Sequence, residues 1–185
     1  FVQGGTIGNL SALVVARAQA RKKHTPAGRW VIACSAEAHS SIASAANVMD
    51  VDILKVPVDA KGKLQGSAVA EAIDHLHATT KDRVFAVVAT SGTTNLGIID
   101  DLATIAEATH ARDIWFHVDG AYGLAALCAP SVRAKFNGVE QADSLIVDPH
   151  KWLFAPFDAC ALIYRNPELA KDVHTQHASY LETLH

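Results

Sequence analysis

The sequence lacks most of the features that would take it out of the ordinary globular class. No apolar run reaches the ~18 residues a membrane helix needs, and the opening residues have neither the charged nor the cleavage region of a signal peptide. The expectation is therefore a cytoplasmic chain with no membrane partner. Cysteine is scarce: Cys34, Cys128 and Cys160 are odd in number, widely spaced and set in apolar sequence. They read as reduced core residues rather than a disulfide frame or a zinc site. Basic clusters are missing beyond Arg21-Lys22-Lys23, and the net charge is -3, so there is no footprint for nucleic acid. That triplet reads as the solvated end of a helix. Histidine is plentiful, but His75/His77 and His174/His177 have no carboxylate or thiol partners at metal-ligand spacing, and no metal is expected.

What is present is half apolar sequence over 185 residues, enough for about one domain. Phe1-Val2-Gln3 reads as the end of a strand, an abrupt start that suggests a missing N-terminal portion. Gly4-Gly5-Thr6 then opens an Ala-rich helical segment in which Leu10, Leu13, Val14 and Arg17 keep helical spacing. Further strands are expected at 30–35, 52–58, 84–89, 114–118, 144–147 and 159–164. Helices lie between most of them, including one capped by Ser67 and one capped by Asp101. The last two strands are joined by a turn too short for a helical crossover, so they should be antiparallel. Strands alternating with helices specify an α/β fold, a mostly parallel seven-stranded sheet with helices on both faces. Residues 1–165 form that domain, and 166–185 read as a helix and connector.

The chemistry collects at strand ends. Lys151 lies in Asp148-Pro149-His150-Lys151-Trp152, between apolar runs, where an unpaired ammonium is costly and a neutral amine suits Schiff-base chemistry. A snorkelling lysine at a strand end is the plain alternative. Gly5 and Thr6 stand at a helix N-terminus, which favours an anion such as phosphate, although a simple glycine turn with a Thr cap has the same pattern. His39 follows one strand, and Asp119 follows another as an acidic residue needing a partner. The loop Thr90-Ser91-Gly92-Thr93-Thr94 adds hydroxyls. A phosphate cradle, an aromatic ring, a carboxylate and a nucleophilic lysine are the four groups that pyridoxal 5'-phosphate requires.

The chain also resembles the pyridoxal-phosphate-dependent group II decarboxylases, which include aromatic-L-amino-acid, glutamate and histidine decarboxylases. The resemblance is carried by Gly4-Gly5-Thr6-x-x-Asn9-Leu10, Ala38-His39-Ser40-Ser41, Thr90-Ser91-Gly92-Thr93-Thr94, His117-Val118-Asp119-Gly120-Ala121-Tyr122 and Pro149-His150-Lys151-Trp152 with Phe157-Asp158. It implies the fold-type-I (aspartate-aminotransferase-like) large domain and a homodimer with its active site at the interface. It also implies a segment after residue 185 that carries a mobile catalytic loop and a small domain.

By the same resemblance Lys151 would hold the cofactor as a Schiff base and Asp119 would pair with the pyridine nitrogen. His39 and Ala121 would face the ring, Gly5, Thr6 and His150 would surround the phosphate, and Thr94 would lie near the ring substituents. Asp148 stands where many members carry Asn. A carboxylate beside a dianionic phosphate is repulsive unless it turns away or pairs with a cation, so the backbone of Asp148 is the part assigned to the cofactor. Gly120 stands where Ala is often seen, with no evident cost.

The implied activity is decarboxylation of an L-amino acid, a small-molecule substrate. Lys151-Trp152-Leu153 and Phe157-Asp158 resemble the aromatic branch. Competing expectations are an aldehyde synthase or transaminase using the same cofactor, and a non-catalytic large-domain piece used for binding or dimerisation.

Overall fold

The computed structural model describes residues 1–175. Its centre is a six-stranded sheet of order β2-β1-β3-β4-β5-β6, formed by β1 (Trp30–Ser35), β2 (Asp52–Val56), β3 (Arg83–Thr90), β4 (Trp115–Asp119), β5 (Ser144–Val147) and β6 (Ala161–Tyr164). The first five strands pair in parallel and β6 runs antiparallel to β5, as the short connection requires. The first expected strand, at Phe1-Val2-Gln3, is reduced to one bridge between Val2 and Cys160, because the chain turns into helix within two residues of it, which leaves six strands rather than seven. The central strands are apolar at nearly every position, as befits strands covered on both faces; β3 is buried from Val84 to Thr90.

Helices supply the cover. On one face α1 (Gly4–Lys23) and α2 (Ser40–Met49) pack Leu13, Ala16, Ile42 and Ala46 against Ile32, Phe85 and Val88. On the other, α3 (Gly66–Thr79) and α4 (Leu102–His110) pack Val69, Ile73, Leu102 and Ile105 against Val31, Val87 and Phe116. Successive side chains along a strand alternate between the two faces, so each buried strand feeds both cores. Helix α1 crosses close over β5: a methyl added at Gly8 would come within 2.9 Å of Ile146.

Helix starts match the sequence in part. Asp101 caps α4 by accepting from the Thr104 N–H. Ser67 does not cap α3, which begins a residue earlier at Gly66. There Thr104 lies so close that a side chain would meet its carbonyl oxygen at 2.0 Å. Nor does a side chain cap α1, whose N-cap is Gln3. Arg21, Lys22 and Lys23 close α1 as a solvated, basic last turn, favourable to the helix dipole. Cys34 and Cys160 are buried, whereas Cys128 is exposed at the end of a 3-10 turn outside the sheet.

A short helix α5 (Pro149–Trp152) follows β5, and α6 (Pro167–His174) follows β6 and leans on α1. Residues 176–185, the rest of the expected connector, fall outside the described part. No described helix is long and apolar enough to cross a membrane.

Candidate active site

The chain order reverses between β1 and β3, and in open α/β sheets the crevice beyond the carboxyl ends of strands at such a point receives ligands. A cleft of about 100 Å³ opens there. Gly5 and Thr6 reach it from the first turn of α1, His39 from the end of β1, Thr94 from the loop after β3, Asp119 and Ala121 from β4, and Asp148 and Lys151 from β5 and α5. Every residue assigned to the site from the sequence lines this cleft except His150. The His150 ring packs at 4.9 Å from Phe157, and its Nδ1 accepts from the Ala159 N–H. It stands behind Asp148 instead, with Nε2 3.6 Å from the Asp148 carboxylate.

Asp119 is held by a buried hydrogen-bond network whose polarity can be assigned from its end points. Asn9 Nδ2 donates to Asp119 Oδ2 and to Ser41 Oγ, both at 2.9 Å. Asn9 Oδ1 must then accept, so the donor 2.9 Å away is His117 Nε2–H. A neutral imidazole protonated at Nε2 accepts at Nδ1, here from Ser144 Oγ at 2.8 Å. Trp115 Nε1–H in turn donates to Ser144 Oγ at 2.8 Å. Complete burial pushes His117 down to about 4, against the pull of nearby Asp119, which keeps it neutral near pH 7. At the other end Ser41 Oγ lies 2.9 Å from His39 Nδ1, and the Ser41 N–H also donates to that nitrogen, so His39 serves as the N-cap of α2. The Ala121 N–H gives the other Asp119 oxygen its partner at 3.2 Å.

Asn9 is therefore the hub that orients both Asp119 and His39, and it also lines the cleft. The sequence carried two signals for it: Asn9 belongs to the motif Gly4-Gly5-Thr6-x-x-Asn9-Leu10, and it follows Gly5 by four residues and Thr6 by three, which places it one turn along on the same face of α1. Its partner His117 stood in the motif with Asp119 but was given no role, since a histidine inside an apolar strand is more often a plain core residue.

Lys151 departs from the expectation of burial. Its side chain is 39% exposed, and the apolar residues beside it face solvent, Phe154 at 91% and Phe157 at 83%. They lie on the loop that follows α5, where, among the rings of the described residues, only that of His150 packs against Phe157. The ammonium is instead paired: Asp148 Oδ2 lies 3.0 Å from Lys151 Nζ. That is the cation pairing the sequence argument required if an acid was to sit here. Gly120 is also less neutral than it looked, because Leu124 fills the space and a methyl there would lie 2.1 Å from it.

The whole chain, residues 1–185, matches the family described as "Pyridoxal-dependent decarboxylase conserved domain". The chain belongs to the pyridoxal-dependent decarboxylase family. It is 34% identical to an aromatic-L-amino-acid decarboxylase of Bacillus atrophaeus over 98% of the chain and 38% of that enzyme. It is 36% identical to an L-2,4-diaminobutyrate decarboxylase of Rhizobium meliloti over 90% of the chain and 33% of that enzyme. Among solved structures it superposes on mouse CSAD with a TM-score of 0.89 at 32% identity, over 95% of this chain and 39% of that one. It thus spans less than two fifths of the length of these relatives.

The residues present fit the cofactor of this family, pyridoxal phosphate. The first N–H groups of a helix have no partner within it, so α1 offers donors at Gly5 and Thr6 for an anion. Asp119 is the carboxylate, the His39 ring the aromatic wall, and Lys151 the amine. Thr90 Oγ1, on the same cleft, is buried without a hydrogen-bond partner among the described residues. Two acids besides Asp119 line the cleft, Glu37 and Asp148, and the discordant one is Asp148, an anion packed against the first turn of α1. The described residues hold no cluster of His, Cys, Asp and Glu able to bind a metal.

Proposed function

We propose that the protein containing this chain decarboxylates an L-amino acid, with aromatic side chains favoured, and that Lys151, Asp119 and His39 act on the bound cofactor. The observation that carries this reading is the convergence of Lys151, Asp119 and the N-terminus of α1 on one cleft at the switch point of the sheet. Pyridoxal phosphate, when bound, supplies a ring that accepts the electron pair released as carbon dioxide leaves. Lys151 is the amine for the cofactor aldehyde.

Asp119, with both oxygens already receiving hydrogen bonds, is fixed in rotamer and offers a carboxylate to hold a proton on the ring nitrogen. His39 is held through Ser41 as a wall for the ring, opposite in role to the small Ala121, and the Thr94 hydroxyl is available to the ring substituents. Gly5 and Thr6 contribute N–H donors to the phosphate, and His150 acts through Asp148 rather than by direct contact.

A homodimer is part of this proposal. The exposed Trp152, Leu153, Phe154 and Phe157 lie next to Lys151, and a second copy would remove them from water. A cytoplasmic location accords with three free cysteines. The aromatic preference is supported by the Bacillus atrophaeus relative, and the diaminobutyrate relative marks the alternative.

The test is borohydride reduction of the complete protein with its cofactor, followed by peptide mapping, alongside carbon dioxide release from a panel of amino acids. Cofactor fixed to Lys151, lost in Lys151→Ala, and equal yields of amine and carbon dioxide are expected. Cofactor fixed to another lysine would overturn the site. Aldehyde or keto acid as the product would overturn the reaction.

A further inference from the structure

We propose that Asp148 is a resident counter-anion of the cofactor site: it occupies the positive field that the cofactor's phosphate needs and so sets how tightly the chain retains its cofactor, a proposal that rests on the pyridoxal-phosphate reading above. Its carboxylate is 2% exposed and its backbone is pinned, the Asp148 N–H donating to the Ala121 carbonyl at 3.1 Å. Oδ2 faces three positive groups, one a cation and two of them N–H dipoles. Lys151 Nζ is 3.0 Å away and His150 Nε2 is 3.6 Å away. The third is the first turn of α1, so close that a methyl on Gly5 would meet Oδ2 at 3.1 Å. Oδ1 is buried and has no hydrogen-bond partner among the described residues.

A buried carboxylate with an unpartnered oxygen is costly, and the Lys151 ammonium and the adjacent Cys160 thiol offset part of that cost. The neighbouring thiol registers the same charge. Burial first, and the adjacent Asp148 next, push Cys160 up, so no second negative group forms behind the site. Phosphate brings about two negative charges to the same end of the cleft. Once Lys151 is committed to the cofactor, Asp148 also loses its nearest cation. Asparagine would keep the shape and remove the repulsion, whereas aspartate leaves the two anions sharing one helix terminus.

The test is spectrophotometric titration of the cofactor-stripped complete protein, wild type and Asp148→Asn, with pyridoxal 5'-phosphate and with pyridoxal, which lacks the phosphate. The expected result is a dissociation constant for pyridoxal phosphate lowered roughly tenfold or more in Asp148→Asn, with a markedly smaller change for pyridoxal. Unchanged or weaker binding of pyridoxal phosphate by Asp148→Asn, or an equal gain with both ligands, would overturn the proposal. Should Asp148→Asn fail to fold by circular dichroism, Asp148→Ser is titrated in its place against the same criteria. A wild-type protein that takes up no pyridoxal phosphate at Lys151 would instead refute the underlying cofactor reading.

Discussion

Replacing Asn9 with Leu tests the claim that one amide orients the chemistry. Leucine keeps the branched skeleton of asparagine but ends in bulkier methyl groups, so the change removes the polarity and adds some overpacking at a buried position. Three contacts of 2.9 Å disappear: those to Asp119, Ser41 and His117. The two neutral ones are worth about 1 kcal/mol each and the one to the carboxylate about 2 kcal/mol. His117 Nε2–H is then left as a buried donor without an acceptor, at a cost of about 1–3 kcal/mol. These amounts overlap rather than add, because the residues share one network.

The expected loss is about 4 kcal/mol in urea unfolding of the cofactor-free protein, with weakened cofactor binding because Asp119 and His39 lose their common support. Ser41→Ala is the internal comparison. It cuts only the branch toward His39 and should cost about 1 kcal/mol. An Asn9→Leu protein no less stable than Ser41→Ala, with an unaltered cofactor spectrum, would refute the hub.

Two further predictions concern buried titrating groups. The Asp100 carboxylate accepts from the Leu64 N–H at 2.9 Å and the Thr90 N–H at 2.7 Å, stapling the loop before α3 to the end of β3. Asp100→Asn has one acceptor oxygen for these donors and turns an NH2 on the other, so it should destabilise by about 2 kcal/mol near neutral pH. Burial raises Asp100 from 3.8 to about 6, so the folded state binds its proton first. Stability from this group is therefore gained as pH falls through 6 toward 3.8, and the gap between wild type and Asp100→Asn should widen over that window; a gap independent of pH would contradict it.

His117 has the opposite sign. Burial lowers it from 6.5 to about 4, so its contribution is present above pH 6.5 and is lost as pH falls toward 4. His117→Asn should be less stable at pH 7 but flatter between pH 6.5 and 4 in denaturant titrations, and an equally steep decline would count against a neutral buried His117.

By itself the sequence determined the layered α/β fold and named most of the residues that line the candidate cleft. Apolar runs of strand length alternate with helical spacing, and the residues that punctuate them fall at the carboxyl ends where such sheets bind ligands. Gly5, Thr6, His39, Asp119 and Lys151 were legible for that reason, since their positions follow from local periodicity. Tertiary structure decided what each one touches. Asn9 and His117 are distant in sequence and meet only because α1 crosses β4 and β5, a contact without any local pattern. His150 could be counted into the motif, but its ring direction was set by the backbone N–H of Ala159.

The apolar neighbours of Lys151 suggested burial because hydrophobicity along a sequence does not say which surface will cover it. The folded chain leaves Phe154 and Phe157 to water and pairs the lysine with Asp148. The physical reason is range: periodicity is written within a few residues, whereas the charge balance around Lys151 depends on a helix terminus that enters from the other end of the chain.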